Sequence, residues 1–377
     1  MTENEVRVLH VSLWLTPVGG GIQKYLSIIA TAAANSGIAS RYAALMPGSP
    51  PLASMKVAHV GTARAPKWVN ALRLWVSLNR EMATVDVVHV HGVLGWPFVV
   101  AALVCRHKGK PYVVSPHGSL YPWFLSQRRL RARLYLALLG KRLLRQAVTV
   151  VANLPAEERV VRQLDPRIHV TILPPAIPAP PERGETRAET TDGGLRIVFV
   201  SRVEPLKGIP VLLKALALLH RQRVSARLDV IGPASGPHVA QLRSLAGDLG
   251  IEQALTFHGY VSEAVKRQAL RSAHVFCMPS YGEAFSFATA EALAEGLPVV
   301  VSDSVALADT VRKYRCGTVV PTDDAPSLAD ALASYADPEF RKPRSQRARE
   351  CAREAFSLDQ MKRSLESLYR TALHAAG

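Results

Sequence analysis

The chain has 377 residues, 48% of them hydrophobic and 20% charged, values of a soluble globular protein long enough for two domains that each bury a core. The longest apolar stretch, Gly92 to Cys105, is too short and too interrupted by Gly and Pro to span a bilayer. The net charge of +16 is uneven: residues 1–180 carry 21 Lys and Arg against 7 Asp and Glu, residues 181–377 carry 25 against 23. The basic first half suits an anionic partner, either a membrane surface with acidic lipids or a polyanion.

Cys105, Cys277, Cys316 and Cys351 are far apart in sequence and show no metal-ligand spacing, so reduced thiols are expected. The N-terminus opens with Glu3 and Glu5, and Arg7, His10 and Ser12 interrupt the first apolar run. No signal peptide is expected, and the protein reads as cytoplasmic, with a peripheral seat on the inner face of a membrane as a further expectation.

In chain order, Val6–Ser12 reads as a first strand. Gly19, Gly20 and Gly21 follow, then a helix from Ile22 to Asn35. A strand over Val85–Val90, a helix over Pro97–His107 and a strand over Pro111–Ser115 continue the alternation. A long basic helix and a strand over Ala147–Ala152 come next. Residues 174–194, rich in Pro, Gly and charge, read as a linker. A second alternation begins with the strand 195–201 and continues through a helix from Val211 to His220 and strands at 226–232, 255–259 and 317–320. Helices fill most of 327–377. Strands alternating with helices imply parallel sheets covered on both faces.

Residues 279–303 are the most informative. An apolar strand ending at Met278 breaks at Pro279-Ser280-Tyr281-Gly282, and a helix is expected from about Phe285 to Glu295, capped by Gly296. Glu283 then lies in a loop at the carboxyl end of a parallel strand, with Glu291 about two turns into the helix. In open α/β sheets that edge binds ligands. Arg202 and Lys207 follow the strand 195–201 and stand before another helix, an arrangement suited to a diphosphate. A nicotinamide site is excluded, because Gly19–Gly21 is not followed by Gly-x-x-Gly and no acid occurs between Glu5 and Glu81.

With these pieces in place, the chain resembles the retaining nucleotide-sugar glycosyltransferases of family 4 (glycosyltransferase group 1), which have the GT-B fold. The matching segments are Gly19-Gly20-Gly21, the run Asp86 to Gly92, Ser115-Pro116-His117-Gly118, the run Ser201 to Gly208, and the two-glutamate segment, in family order across nearly the whole chain. The resemblance implies two Rossmann-like doubly wound domains facing across a cleft. Residues 1–180 would bind the acceptor, 181–194 would be a linker, 195–356 would bind the nucleotide sugar, and 357–377 would form a helix crossing back to the first domain.

The resemblance also assigns roles. Glu283 would hold hydroxyls of the transferred sugar and Glu291 the ribose. Gly20 and Gly21 would approach the donor, and His91 and His117 would border the acceptor and the reacting sugar. Arg202 and Lys207, with amides near Phe285 and Ser286, would counter the diphosphate in place of a metal, because no Asp-x-Asp pair occurs. Ala284 and Ser286 stand where the family often has glycines, a departure that bears on the sugar. No cofactor is expected. His89 and His91 share one strand face, but a metal there would need a further ligand nearby. Retention, which the resemblance implies, leaves two routes, a covalent intermediate on a far-face carboxylate or front-side attack in which the leaving phosphate takes the acceptor's proton. No acid of the first domain's recognised loops is placed as a nucleophile, which favours the second.

Finally, Arg128, Arg129, Arg131, Arg133, Lys141, Arg142 and Arg145 punctuate a leucine-rich stretch that holds no acid from Tyr121 to Gln146, preceded by Trp123 and Phe124. Such a segment suits an anionic membrane surface and hence a lipid-linked or surface-polysaccharide acceptor. Two other readings remain: a sugar-nucleotide epimerase or hydrolase on the same fold, and a non-enzymatic membrane or nucleic-acid binding protein. The latter lacks a reading module and stacking aromatics.

Overall fold

The computed structural model describes residues 5–13, 20–34, 36–45, 55–60, 65–126, 129–178, 194–234 and 236–375. The chain divides into two compact units, one of Met1–Ala176 with Leu358–Gly377 and one of Ile177–Ser357. Residues 181–193 of the expected linker lie outside the described residues.

The first unit is a seven-stranded sheet of β1 (Val6–Ser12), β2 (Ile38–Ala44), β3 (Val57–His59), β4 (Val87–His91), β5 (Tyr112–Ser115), β6 (Thr149–Ala152) and β7 (Val170–Ile172), in the order β3-β2-β1-β4-β5-β6-β7. Every neighbouring pair is parallel. The second unit has six strands: β8 (Leu195–Val200), β9 (Ala226–Ile231), β10 (Leu255–Gly259), β11 (Val275–Met278), β12 (Val299–Ser302) and β13 (Gly317–Val320), in the order β10-β9-β8-β11-β12-β13, also all parallel.

Both sheets start in the middle, wind to one edge and cross back to wind to the other. The reversal falls between β1 and β4 in the first unit and between β8 and β11 in the second. Crevices outside the carboxyl ends at such reversal points are where doubly wound sheets bind ligands. Continuous apolar strands with fully buried Val8, Val88, Val113 and Val150 show why the first sheet needs helices on both faces. The helix Leu358–His374 belongs to the first unit, where it buries Met361, Leu365, Leu368 and Tyr369.

Two helices differ from their sequence reading. The basic stretch is not one regular helix: Arg129–Tyr135 and Lys141–Gln146 are α-helical, and Leu136–Gly140 between them is a π-turn. A Cβ on Gly140 would come within 2.9 Å of Leu136 Cδ2, so glycine lets the widened turn close on its own side chains. The helix after Glu283 starts at Phe287 and ends at Ala294. Ser286 takes a left-handed conformation (φ 63°) that no helix continues through, so Phe285 and Ser286 precede the helix and Glu291 stands little more than one turn into it.

Candidate functional site

At the carboxyl end of β8 the chain passes through Arg202 and Glu204 into a single 3₁₀ turn, Pro205–Lys207, and then Gly208. Gly208 has φ 69°, and a Cβ there would lie 1.9 Å from the carbonyl oxygen of Pro279. Only glycine permits this approach, and it brings the loop after β8 against the loop after β11. The contact is fastened by Ser280, whose Oγ donates to the Leu206 carbonyl (2.9 Å), and by the Tyr281 amide, which donates to the same oxygen (2.9 Å).

The result is an ion pair between groups 76 residues apart: Lys207 Nζ donates to Glu283 Oε2. Lys207 is 7% exposed, so its ammonium is nearly out of water and needs the carboxylate. Glu283 is fixed in turn by its backbone, which bridges to the segment around Val305 and accepts from the Ala306 amide (2.9 Å).

The remaining expected residues of this unit do not all join that pair. Arg202 is bound by Glu204 Oε1 at 2.5 Å, and its side chain is 60% exposed, because the acid two residues away offers the nearest carboxylate. Glu291 pairs with Lys266 at 2.9 Å, and Lys266 also reaches Glu263 at 2.8 Å. Ser286 caps the helix, its Oγ accepting from the Thr289 amide (3.4 Å) and sharing a hydrogen bond with Thr289 Oγ1 (2.7 Å). Phe285 is a core ring packed edge-on to Phe287 and Phe356, so what it offers a ligand is backbone. Lys266 had no signal in the sequence beyond an ordinary helical position.

In the first unit, Gly19 lies outside the described residues; Gly20 is the N-cap and Gly21 the first residue of the helix Gly21–Ala33. A Cβ at Gly20 would meet nothing within 4 Å, so no internal packing calls for glycine there. After β5 the backbone turns sharply at His117 (φ 51°) and Gly118 (φ 78°). A left-handed histidine is held against its preference, and the restraint is Glu157. Its Oε1 accepts from the Gly118 amide (2.7 Å) and its Oε2 from the Asn153 amide (2.8 Å). Glu157 is fully buried, and burial raises its carboxyl above the usual range against the pull of both amides. The sequence reading missed this residue, whose acidic first-turn position looks like an ordinary helix-dipole partner.

His117 opens a line of imidazoles. Its Nε2 lies 3.0 Å from His91 Nδ1, His91 Nε2 lies 3.0 Å from His10 Nδ1, and His10 Nε2 lies 3.4 Å from Ser40 Oγ. His89 is held separately, Nδ1 to the Tyr369 hydroxyl and Nε2 to Ser115 Oγ, each at 2.8 Å. His10, His89 and His91 are buried, and desolvation keeps all four rings neutral, with His10 and His117 pushed down to about 3.

The third ligand that a metal at His89 and His91 would need is thus present. His10 is the register partner of His89 across β1 and β4, and the ligand atoms of the three lie within 4.8 Å of one another. All six ring nitrogens are already hydrogen-bonded, to other rings, Ser40, Ser115 and Tyr369, so a metal would have to displace those bonds.

Along the basic segment, Leu130, Leu134 and Leu138 are 81%, 57% and 72% exposed, while Leu136, Leu143 and Leu144 are buried. Arg128 lies outside the described residues. A second exposed apolar face runs along the helix Lys67–Glu81 through Trp68, Leu72, Trp75 and Val76. Among the described residues no helix is long and apolar enough to cross a membrane.

Comparison with known proteins follows the same division. The profile of Glycosyltransferase Family 4 matches residues 19–179 and that of Glycosyl transferases group 1 matches residues 185–354. A D-inositol 3-phosphate glycosyltransferase from Arthrobacter sp. is 33% identical over 206 residues, 52% of this chain and 49% of that protein. A phosphatidyl-myo-inositol mannosyltransferase from Mycobacterium leprae is 39% identical over 143 residues, 37% of each chain. The chain thus spans about half the length, or less, of the curated relatives it matches. Among solved structures, the sucrose-phosphate synthase of Thermosynechococcus elongatus superposes with a TM-score of 0.82 at 20% identity, covering 99% of this chain and 100% of that one. Anabaena HepE in complex with UDP and glucose gives 0.77 at 18% identity, covering 97% and 99%.

Proposed function

The chain belongs to the glycosyltransferases of group 1 and family 4, with the GT-B fold, and on that premise we propose that it moves a sugar from a nucleotide-diphosphate sugar to an acceptor hydroxyl with retention of configuration. The observation that carries the reading is the Lys207–Glu283 pair at the reversal point of the second sheet. A ligand diphosphate reaching Lys207 gives the ammonium a second anion, and Glu283 keeps an oxygen with which to accept from sugar hydroxyls.

In this reading the second unit holds the donor. Lys207 and Arg202 counter the diphosphate without a metal, with the amides of Phe285 and Ser286 beside them, and Glu291 takes the ribose. Arg202 must exchange Glu204 for phosphate, and Glu291 must share Lys266 with the nucleotide. The first unit holds the acceptor, with His91 and His117 beside it and Gly20 and Gly21 nearing the donor. The acceptor oxygen bonds to the anomeric carbon on the face that the diphosphate leaves, and the departing phosphate oxygen takes the acceptor's proton.

The acceptor we propose is lipid-linked or an intermediate of surface polysaccharide or glycolipid synthesis. Leucines exposed among arginines, and Trp68 and Trp75 on a second face, support a peripheral seat on an anionic bilayer. Two experiments test the reading. In the first, a panel of UDP- and GDP-sugars is screened for thermal stabilisation and then for acceptor-dependent product. Glu283→Ala is expected to abolish the gain, and sugar release independent of acceptor would indicate an epimerase or hydrolase. The second is co-sedimentation with vesicles at rising salt; equal binding to neutral and acidic vesicles would remove the membrane seat.

A further inference from the structure

The line from Ser40 to His117 has a property that follows from which nitrogens meet. Both ring-to-ring contacts join an Nδ1 to an Nε2: His91 Nδ1 with His117 Nε2, and His10 Nδ1 with His91 Nε2. A neutral imidazole carries one proton, and an N···N hydrogen bond holds one proton between its two nitrogens. Only two arrangements satisfy the whole line. In the first, all three rings are protonated at Nε2: His117 donates to His91, His91 to His10, and His10 to Ser40 Oγ. In the second, all three are protonated at Nδ1: Ser40 donates to His10, His10 to His91, and His91 to His117. Ser40 permits either, because a hydroxyl both donates and accepts.

The arrangement reaches the surface at one imidazole. His10 is 0% and His91 5% exposed, whereas His117 is only partly buried, and among the described residues nothing pairs with its Nδ1. In the first arrangement that nitrogen is a bare acceptor; in the second it is an N–H donor. We infer that Ser40, His10 and His91 are positioning residues that set the tautomer of His117, and so decide whether its free nitrogen meets a substrate hydroxyl as acceptor or as donor.

The surroundings favour such coupling. Tyr25 stands edge-on to both His117 and His91, at 4.9 and 6.2 Å between centroids, and Tyr42 stacks on His10 at 4.8 Å, so every ring of the line packs against an aromatic neighbour. Glu157, the carboxylate nearest the turn, is committed to the Gly118 and Asn153 amides. Burial keeps the rings neutral, the condition under which a line of this kind has only two states.

The functional consequence rests on the reading of His117 given above, but the coupling itself does not, and it is measured on the free protein. Long-range ¹⁵N–¹H spectra of ¹⁵N-histidine-labelled full chain at pH 7.5 report the protonated nitrogen of each ring, assigned by single substitutions. His10, His91 and His117 are expected to share one tautomer; rings of mixed tautomer, or any cationic ring, would overturn the inference.

Ser40→Ala leaves His10 Nε2 without a partner, and His10→Phe does the same to His91 Nε2. A buried N–H left unpaired is avoided more strongly than an unused acceptor, so the rings remaining in each line are expected to be protonated at Nδ1. His117 at Nε2–H in either folded variant would refute the coupling. So would one equivalent of zinc retained by the wild type after dialysis against the metal, since a metal would take the nitrogens the line uses.

Where sugar transfer is measurable, Ser40→Ala is expected to change kcat about tenfold if the wild type holds the other tautomer, with KM for the nucleotide sugar unchanged. A protein that passes the spectroscopic test and transfers no sugar would refute the proposed function and leave the coupled line standing.

Discussion

At the carboxyl edge of the second sheet, the Lys207 ammonium is taken out of water against a partly exposed carboxylate from a distant loop, Glu283. At the same edge of the first sheet, His10 and His91 are taken out of water as neutral rings, hydrogen-bonded in line with the partly buried His117. Each solution gives the buried ammonium or the ring nitrogens of His10 and His91 a partner, while the hydroxyls of Tyr25 and Tyr42 packed on the imidazoles have none, and the two respond differently to change. The charged pair depends on both members being present, whereas the neutral line depends on protons staying in register. Fixed charge suits a ligand that is itself charged, and a neutral donor or acceptor suits hydroxyls.

The largest expected effect is on the charged side. Glu283→Ala leaves the Lys207 ammonium buried and alone, and is expected to lower stability by about 3 kcal/mol in urea unfolding. It is also expected to lower kcat/KM for sugar transfer by roughly a thousandfold. Adding Lys207→Met to Glu283→Ala is expected to recover much of the stability and none of the activity. Full recovery of both would mean that the pair has only a structural role.

Gly208→Ala tests how the pair is assembled. The new Cβ would meet the Pro279 carbonyl oxygen at 1.9 Å on a residue with φ 69°, so the two loops must separate. A loss of about 2–3 kcal/mol is expected, from steric overlap and left-handed strain together. Activity is expected to fall with it, although the substitution changes no polar side chain. Gly20→Ala is the control: its Cβ would meet nothing within 4 Å, so the expected loss is no more than the cost of alanine in place of glycine at an N-cap, about 1 kcal/mol or less.

On the neutral side the handle is pH. Burial pushes His10 and His117 down to about 3, against an ordinary value near 6.5 in the unfolded chain. Above that unfolded value neither state binds the protons, and the term is constant. As pH falls below it, the unfolded chain takes up protons that the folded rings refuse, so stability declines from about pH 6.5 toward about pH 3. Each such ring adds up to about 1.4 kcal/mol per pH unit to that slope. Urea titrations at pH 7.5, 6, 5 and 4 are therefore expected to give a shallower acid limb for His10→Phe. An unchanged limb would mean that His10 does not titrate as a buried neutral ring.

How far the sequence reached follows the same divide. Strands and glycine turns are local signals, so the parallel sense of both sheets and the loops carrying His117 and Glu283 were legible, while β2, β3 and β7 of the first sheet were not among the expected strands. The pairing of Lys207 with Glu283 was expected only as convergence on one ligand, because which cation meets which acid depends on a glycine fitting under Pro279. Arg202 was expected to join them, but Glu204, two residues away, competes at no cost in loop closure. His10 was read only as an interruption of an apolar run. Its role arises from the register that sets it opposite His89, and in a parallel sheet no local pattern encodes that register.

The smallest expected effect is at Leu134, an apolar position of the basic stretch nine residues before the buried Leu143; at about 100° per residue that spacing puts the two on opposite faces of a helix. Leu134 comes out 57% exposed and Leu143 1% exposed. Leu143→Ser removes a core contact, and its hydroxyl gains no arranged partner, so a loss of about 2–4 kcal/mol is expected. Leu134→Ser is expected to change stability by no more than about 0.5 kcal/mol. If the exposed face seats on a bilayer, the same change lowers partitioning onto acidic vesicles several-fold, and adding Leu138→Ser lowers it further. Unaltered vesicle binding in the double variant would assign the attraction to the arginines alone, and a stability loss in Leu134→Ser matching that of Leu143→Ser would mean that the helix packs in a different phase.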